Sequence, residues 1–116
     1  MVKCVWITGC TRGLGRAMVE GFIGRGWVVS GGARSEQGIE ALREKFGDGG
    51  HFFGAVDVAS DDSVSRFCGE ALEAVGVPNL LVNNAGLMNT PAPLWEVPEE
   101  EFDDLLAVNV AGVANM

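Results

Sequence analysis

The 116-residue chain contains no tyrosine, so chemistry that needs a phenol is excluded from it. Histidine occurs once, at His51, and the three cysteines Cys4, Cys10 and Cys68 include no C-x-x-C spacing. These residues complete no metal-ligand set, and no metal is expected. An odd number of thiols without that spacing fits reduced cysteines in a cytosol-like compartment. Basic residues are scarce: 8 Lys and Arg stand against 16 Asp and Glu, for a net charge of −8. That balance argues against nucleic acid or an anionic membrane as a partner. No apolar run reaches the about 18 residues that span a bilayer. The apolar part of the first nine residues is too short for a signal peptide, so a cytoplasmic location is the expectation.

What is present is a globular composition, 47% hydrophobic and 21% charged, of a length that suits one domain. The 17 glycines are about twice the ordinary share and ask for tight turns or close backbone approaches. Apolar, β-rich runs over 2–8, 27–33, 52–58 and 80–82 read as strands. Between them, Leu14, Ala17, Met18, Gly21 and Phe22 recur at helical spacing, as do Ile39, Leu42 and Phe46. A third helix begins near Asp61 as its cap, with Val64, Phe67, Cys68, Ala71, Leu72 and Val75 as its core face. After a proline-bearing loop to Pro98, acids in the first turn open a last helix. Phe102, Leu105, Leu106, Val110 and Val113 are its expected core face. That stripe is still apolar at Met116, and a cut chain is the expectation. Alternating strands and helices predict a parallel α/β sheet covered on both faces.

The first strand–helix junction reads Thr8-Gly9-Cys10-Thr11-Arg12-Gly13-Leu14-Gly15. This G-x-x-x-G-x-G spacing is neither G-x-G-x-x-G nor a Walker A loop. Its physics is nonetheless that of a phosphate loop: glycines allow a tight turn and the helix N-terminus offers free N–H donors. Glycines at a turn are also common for structural reasons alone. At the end of the second strand, where an acid would hold a ribose 2′-hydroxyl, the chain reads Gly31-Gly32-Ala33-Arg34-Ser35. Arg34, with Arg12 in the loop, suits a 2′-phosphate and favours NADP over NAD; both could equally be solvated surface charges. Cys10 lies in the loop but has no paired base and is expected to be inert.

These motifs resemble the N-terminal half of a short-chain dehydrogenase/reductase. Thr8-Gly9-x-x-x-Gly13-x-Gly15 resembles that family's cofactor loop, and Asp57-Val58 its adenine-contacting pair. Asn83-Asn84-Ala85-Gly86 resembles its signature after strand four, and Asn109 the helix asparagine of its catalytic Asn-Ser-Tyr-Lys set. The resemblance implies a Rossmann-type doubly wound sheet of strand order 3-2-1-4, ending after the helix that follows strand four. It implies cofactor contacts from Thr8, Gly9, Thr11, Arg12, Gly13, Leu14, Gly15, Arg34, Asp57, Val58, Asn83, Ala85 and Gly86, with Asn109 as the catalytic residue. Residue chemistry leaves two of these open. Asn109 shares the last helix's apolar stripe and could be a satisfied core amide, and Asn83 could serve the turn alone.

The resemblance further implies hydride transfer between a nicotinamide and a small carbonyl or alcohol. Proton transfer would come from a Ser-Tyr-Lys set beyond Asn109. The chain has no Tyr, and its two lysines, Lys3 and Lys45, lie in other elements. The expectation is therefore a single partial NAD(P)-binding domain over 1–116, without the catalytic half and inactive alone. Its parent would be a homo-oligomeric NADP(H)-dependent oxidoreductase. A non-catalytic nucleotide-binding or regulatory module is the alternative, and a unit that does not fold by itself is a third. Strand four, left as an open edge, predicts that the chain self-associates.

Overall fold

The structure, a computed structural model, describes residues 2–87 and 91–116. Part of the expected proline-bearing loop, residues 88–90, therefore lies outside the described residues. The strands are β1 (Cys4–Thr8), β2 (Val28–Ala33), β3 (Phe52–Ala55) and β4 (Leu80–Val82). The helices are α1 (Gly13–Gly24), α2 (Glu36–Phe46), α3 (Asp61–Val75), α4 (Glu99–Leu106) and α5 (Gly112–Asn115), with a π-helical stretch Ala107–Ala111 joining the last two. All strand pairs are parallel and their order is β3-β2-β1-β4.

Parallel strands joined by helices are covered on both faces, so consecutive residues of one strand feed opposite cores. Val5 and Ile7 of β1, Val29 and Ala33 of β2 and Phe53 of β3 pack with Val19 of α1 and with Ile39 and Leu42 of α2. On the other face Cys4 and Trp6 pack with Val56 and with Val64, Phe67 and Ala71 of α3. The Trp6 and Phe67 rings meet edge to face at 6.3 Å. On edge strand β3 the Phe53 carbonyl accepts from Arg43 Nη2 at 2.7 Å and Nε at 3.0 Å. A guanidinium thus occupies a backbone acceptor at an exposed sheet edge.

Several sequence expectations are corrected. β1 begins at Cys4 rather than at Val2, and Val2 and Lys3 are exposed. β3 ends at Ala55; the chain then turns at Asp57, whose carbonyl accepts from Ser60 N. Ser60, not Asp61, caps α3, its hydroxyl accepting from Ser63 N at 3.2 Å. Leu72 is exposed on α3. The expected core face of the last helix faces out: Phe102, Leu106, Val110 and Val113 are 42%, 45%, 62% and 44% exposed. Buried there instead are Val108 and Gly112. The π-helical stretch Ala107–Ala111 widens the turn after Leu106 and so moves the positions beyond it off a 3.6-residue stripe; Phe102 and Leu106, which precede it, also lie on the exposed side of α4. Leu80 and Leu81 of edge strand β4 are exposed as well. Among the described residues no helix is long and apolar enough to cross a membrane.

His51 ties the start of β3 to β2: its Nδ1 accepts from Val29 N–H at 3.0 Å. Only a neutral ring can accept there, and burial lowers its pKa below the ordinary 6.5. The unfolded chain therefore binds the proton first, so stability is full above the ordinary value and falls as pH drops below it. His51→Asn keeps an acceptor but cannot titrate. Denaturant melts between about pH 7.5 and pH 5.5 should show the wild type losing stability relative to this variant as pH falls. Parallel curves would refute the assignment.

Candidate functional site

The C-terminal ends of parallel strands, where the chain's order reverses, leave a crevice for ligands. β1 is flanked by β2 on one side and β4 on the other, and a cleft of about 980 Å³ opens at these ends. Its walls come from the β1–α1 loop, the end of β2 with the start of α2, the loop after β3, the loop after β4, and Val108.

The β1–α1 loop turns through Gly9 and Gly13, with φ of +65° and +57°, a region that side chains disfavour. Gly15 lets the first turn of α1 close on the loop, since a Cβ there would overlap the Gly9 carbonyl. Arg12 stands at the N-cap of α1 and places no side-chain acceptor on the first-turn amides. Uncapped N–H groups beside a glycine turn are donors for an anion.

The loop is locked from the neighbouring strand. The Thr8 hydroxyl oxygen accepts from Asn84 N–H at 3.1 Å and from Ala85 N–H at 3.0 Å. Asn84 Nδ2 donates back to the Gly9 carbonyl at 3.0 Å. Thr8 is buried, so the loops after β1 and β4 are held as one piece. The loop after β3 is a turn in which Asp57 Oδ1 accepts from Ala59 N–H and Ser63 Oγ accepts from Asp57 N–H. Ser35 caps α2 through Gly38 N–H at 3.0 Å. Among the described residues three charged side chains line the cleft: Arg12, Arg34 and Asp57.

Of the residues expected from sequence, Gly9, Thr11, Arg12, Gly13, Arg34, Asp57, Val58, Ala85 and Gly86 come together around this cleft. Thr8 and Gly15 lie behind its lining as buried supports. Leu14 is 69% exposed, and neither it nor Asn83 is among the lining residues. Asn84 is the asparagine that builds the site. Asn83 is exposed and outside the lining; two adjacent asparagines carry no sequence signal that says which one turns inward. Gly32, Ala33, Ser35, Gln37, Gly38, Ala41, Val56, Leu87 and Val108 also line the cleft and were not expected; the end of β2, the start of α2 and the π-helical stretch carry most of them.

Asn109 is exposed rather than buried on an apolar stripe. Both ends of its amide are engaged: its Oδ1 accepts from Leu87 N–H at 2.8 Å and its Nδ2 donates to the Leu87 carbonyl at 2.9 Å. It therefore fixes the backbone just after Gly86. Cys10 is completely buried. Loss of solvent pushes its thiol up to about 12, against weaker lowering by its own backbone N–H and by Arg16. A thiol with that pKa is not a nucleophile at neutral pH.

Residues 3–116 match the family model described as short chain dehydrogenase. The chain is 40% identical over 115 residues to an NADPH-dependent pterin aldehyde reductase of Arabidopsis thaliana, covering 98% of this chain and 48% of that protein. It is 35% identical to a glucose 1-dehydrogenase of Gluconobacter oxydans, over 96% of this chain and 42% of the relative. The chain thus spans about half the length of the curated relatives it matches. Among solved structures, a 3-ketoacyl-(acyl-carrier-protein) reductase from Brucella melitensis complexed with NADH superposes with a TM-score of 0.93 at 34% identity. The match covers 98% of this chain and 46% of that one. An alcohol dehydrogenase from Thermococcus sibiricus complexed with 5-hydroxy-NADP gives 0.90 at 33% identity, covering 99% and 50%.

The Thr8 knot generates a stability prediction. Thr8→Val keeps the shape but leaves two amides without their acceptor, which should cost about 1–3 kcal/mol. Urea denaturation reads the cost; a change near zero would mean the two loops are not held through this hydroxyl.

Proposed function

From the premise that the chain belongs to the short-chain dehydrogenase family, we propose that residues 1–116 form the NADP(H)-binding part of an oxidoreductase acting on a small carbonyl or alcohol. The observation that carries this reading is the cleft itself: a glycine-turned helix N-terminus at its centre and two guanidinium groups on its wall. A nicotinamide dinucleotide fits these residues by their chemistry. The amides of Gly13 and the first turn of α1 would hold the pyrophosphate, with Gly9 and Gly15 keeping the backbone close. Arg34 and Arg12 would pair with a 2′-phosphate, and the end of β2 carries no carboxylate to repel it. Ala41, Val56 and Val58 offer an apolar wall to a flat base, with Asp57 at its edge. Ala85, Gly86 and Leu87 would take the nicotinamide half, where Asn109 fixes the backbone.

When bound, the cofactor supplies or accepts the hydride. This chain's part is to bind, orient and exclude water. It holds no phenol, and both lysines lie away from the cleft lining, so proton transfer to substrate is assigned to residues outside 1–116. By themselves these residues are proposed to be inactive, in a protein with a cytoplasmic location. The missing phenol equally favours the second reading, a nucleotide-binding module with no chemistry of its own. Both readings need the same cleft to bind the same ligand.

The exposed Leu80 and Leu81 and the outward stripe of Phe102, Leu106, Val110 and Val113 are apolar surface of a kind that associates. Self-association of the chain, and a homo-oligomeric parent, are proposed accordingly. Light scattering should find species larger than a monomer; a monodisperse monomer refutes this.

Cofactor choice has a direct test. In fluorescence titrations the wild type should bind NADPH more tightly than NADH. Arg34→Ala should weaken NADPH by about 10-fold or more, the scale of a lost charge-assisted contact, and leave NADH unchanged. Equal affinities in the wild type, or equal losses in the variant, would remove the 2′-phosphate assignment.

A further inference from the structure

The loop that carries Asp57 and Val58 is held from an unexpected direction. Asn115, in α5, donates from Nδ2 to the Val58 carbonyl at 2.9 Å. One turn earlier, Gly112 is buried, and a Cβ on it would stand 2.7 Å from Val58 Cγ2 and 3.2 Å from Val58 Cβ. The helix can therefore reach the Val58 carbonyl only because residue 112 has no side chain. Val58 is itself buried at 6% exposure and lines the cleft. The bonds within the turn use Asp57 Oδ1, the Asp57 carbonyl and Asp57 N–H. The Val58 carbonyl is thus held by Asn115 rather than by a group of its own turn.

We propose that Asn115 is a positioning residue of the cleft: through the Val58 carbonyl it sets the wall against which the adenine end of the nucleotide packs. It acts as the counterpart of Asn109, which grips Leu87 at the other end of the same cleft. The intervening segment contains the π-helical stretch and Gly112. Two amides on one helical run thus fix two loops of the site. This inference rests on the reading of the cleft as a nucleotide site and adds to it a residue outside the lining.

The test uses adenosine 2′,5′-bisphosphate as the probe, titrated into the wild type, Asn115→Ala and Asn115→Asp. The aspartate is isosteric but presents an acceptor to the carbonyl, so both variants lose the bond. The amide nitrogen of Ala59 shares the peptide group of the Val58 carbonyl, and its NMR shift reports that bond directly. Expected are cooperative melts for both variants, a moved Ala59 signal, and affinity for the bisphosphate reduced about five-fold, the scale of one hydrogen bond. Val113→Ser, an exposed change on the same helix, should leave affinity and the Ala59 signal as in the wild type. A moved Ala59 signal with unchanged affinity overturns the proposal, as does an unmoved signal. Loss of cooperative melting would make Asn115 a folding residue and overturn it too. If the folded wild type binds no bisphosphate, the nucleotide reading itself fails and this inference falls with it.

Discussion

One hydroxyl fastens the site to the sheet. Thr8, at the end of the central strand β1, accepts the amides of Asn84 and Ala85 after edge strand β4, and Asn84 returns a bond to the Gly9 carbonyl. Both loops must sit where those bonds allow. The glycine turn then faces the same crevice as the segment after β4. The start of α1, bound to that turn through the close approach of Gly15, takes its direction from it. Parallel order β3-β2-β1-β4 supplies the crevice; the Thr8 knot keeps its two sides in register.

The remaining walls are held by the same kind of contact, a backbone group satisfied by a side chain from another element. Ser35 closes the start of α2, Asn109 grips Leu87, and Asn115 holds the Val58 carbonyl. Such bonds each contribute modestly to stability, but they place loop backbone in a defined position. That is what a site of exposed loops on a rigid sheet requires. The sheet's two apolar cores carry the stability, and the polar clamps carry the geometry.

The exposed stripe of α4 and the bare β4 edge belong with the family membership and the half-length match to relatives. In relatives about twice as long, further chain is present beyond the matched part. The exposed surface there is apolar, whereas the cleft is lined by glycines and by the charged Arg12, Arg34 and Asp57, so two faces of one small unit differ in chemistry.

The alternation of strands and helices, the parallel sheet and the glycine turn were legible in the amino-acid order, because period and turn chemistry are local properties. So were Arg34 and the loop residues Gly9 to Gly13, which lie where a strand ends and a helix starts. Three things were decided by tertiary structure alone. Asn84 rather than Asn83 turns inward, because the Gly9 carbonyl lies across from it and accepts from its Nδ2. The last helical run buries Val108 and Gly112 while Phe102, Leu106, Val110 and Val113 face out, because burial follows which side of the run packs on the sheet and, past Leu106, a π-helical stretch that breaks the period. Asn115 reaches Val58, a residue 57 positions away, because Gly112 leaves room. Contacts of that separation depend on how elements pack, and no spacing along the chain encodes them.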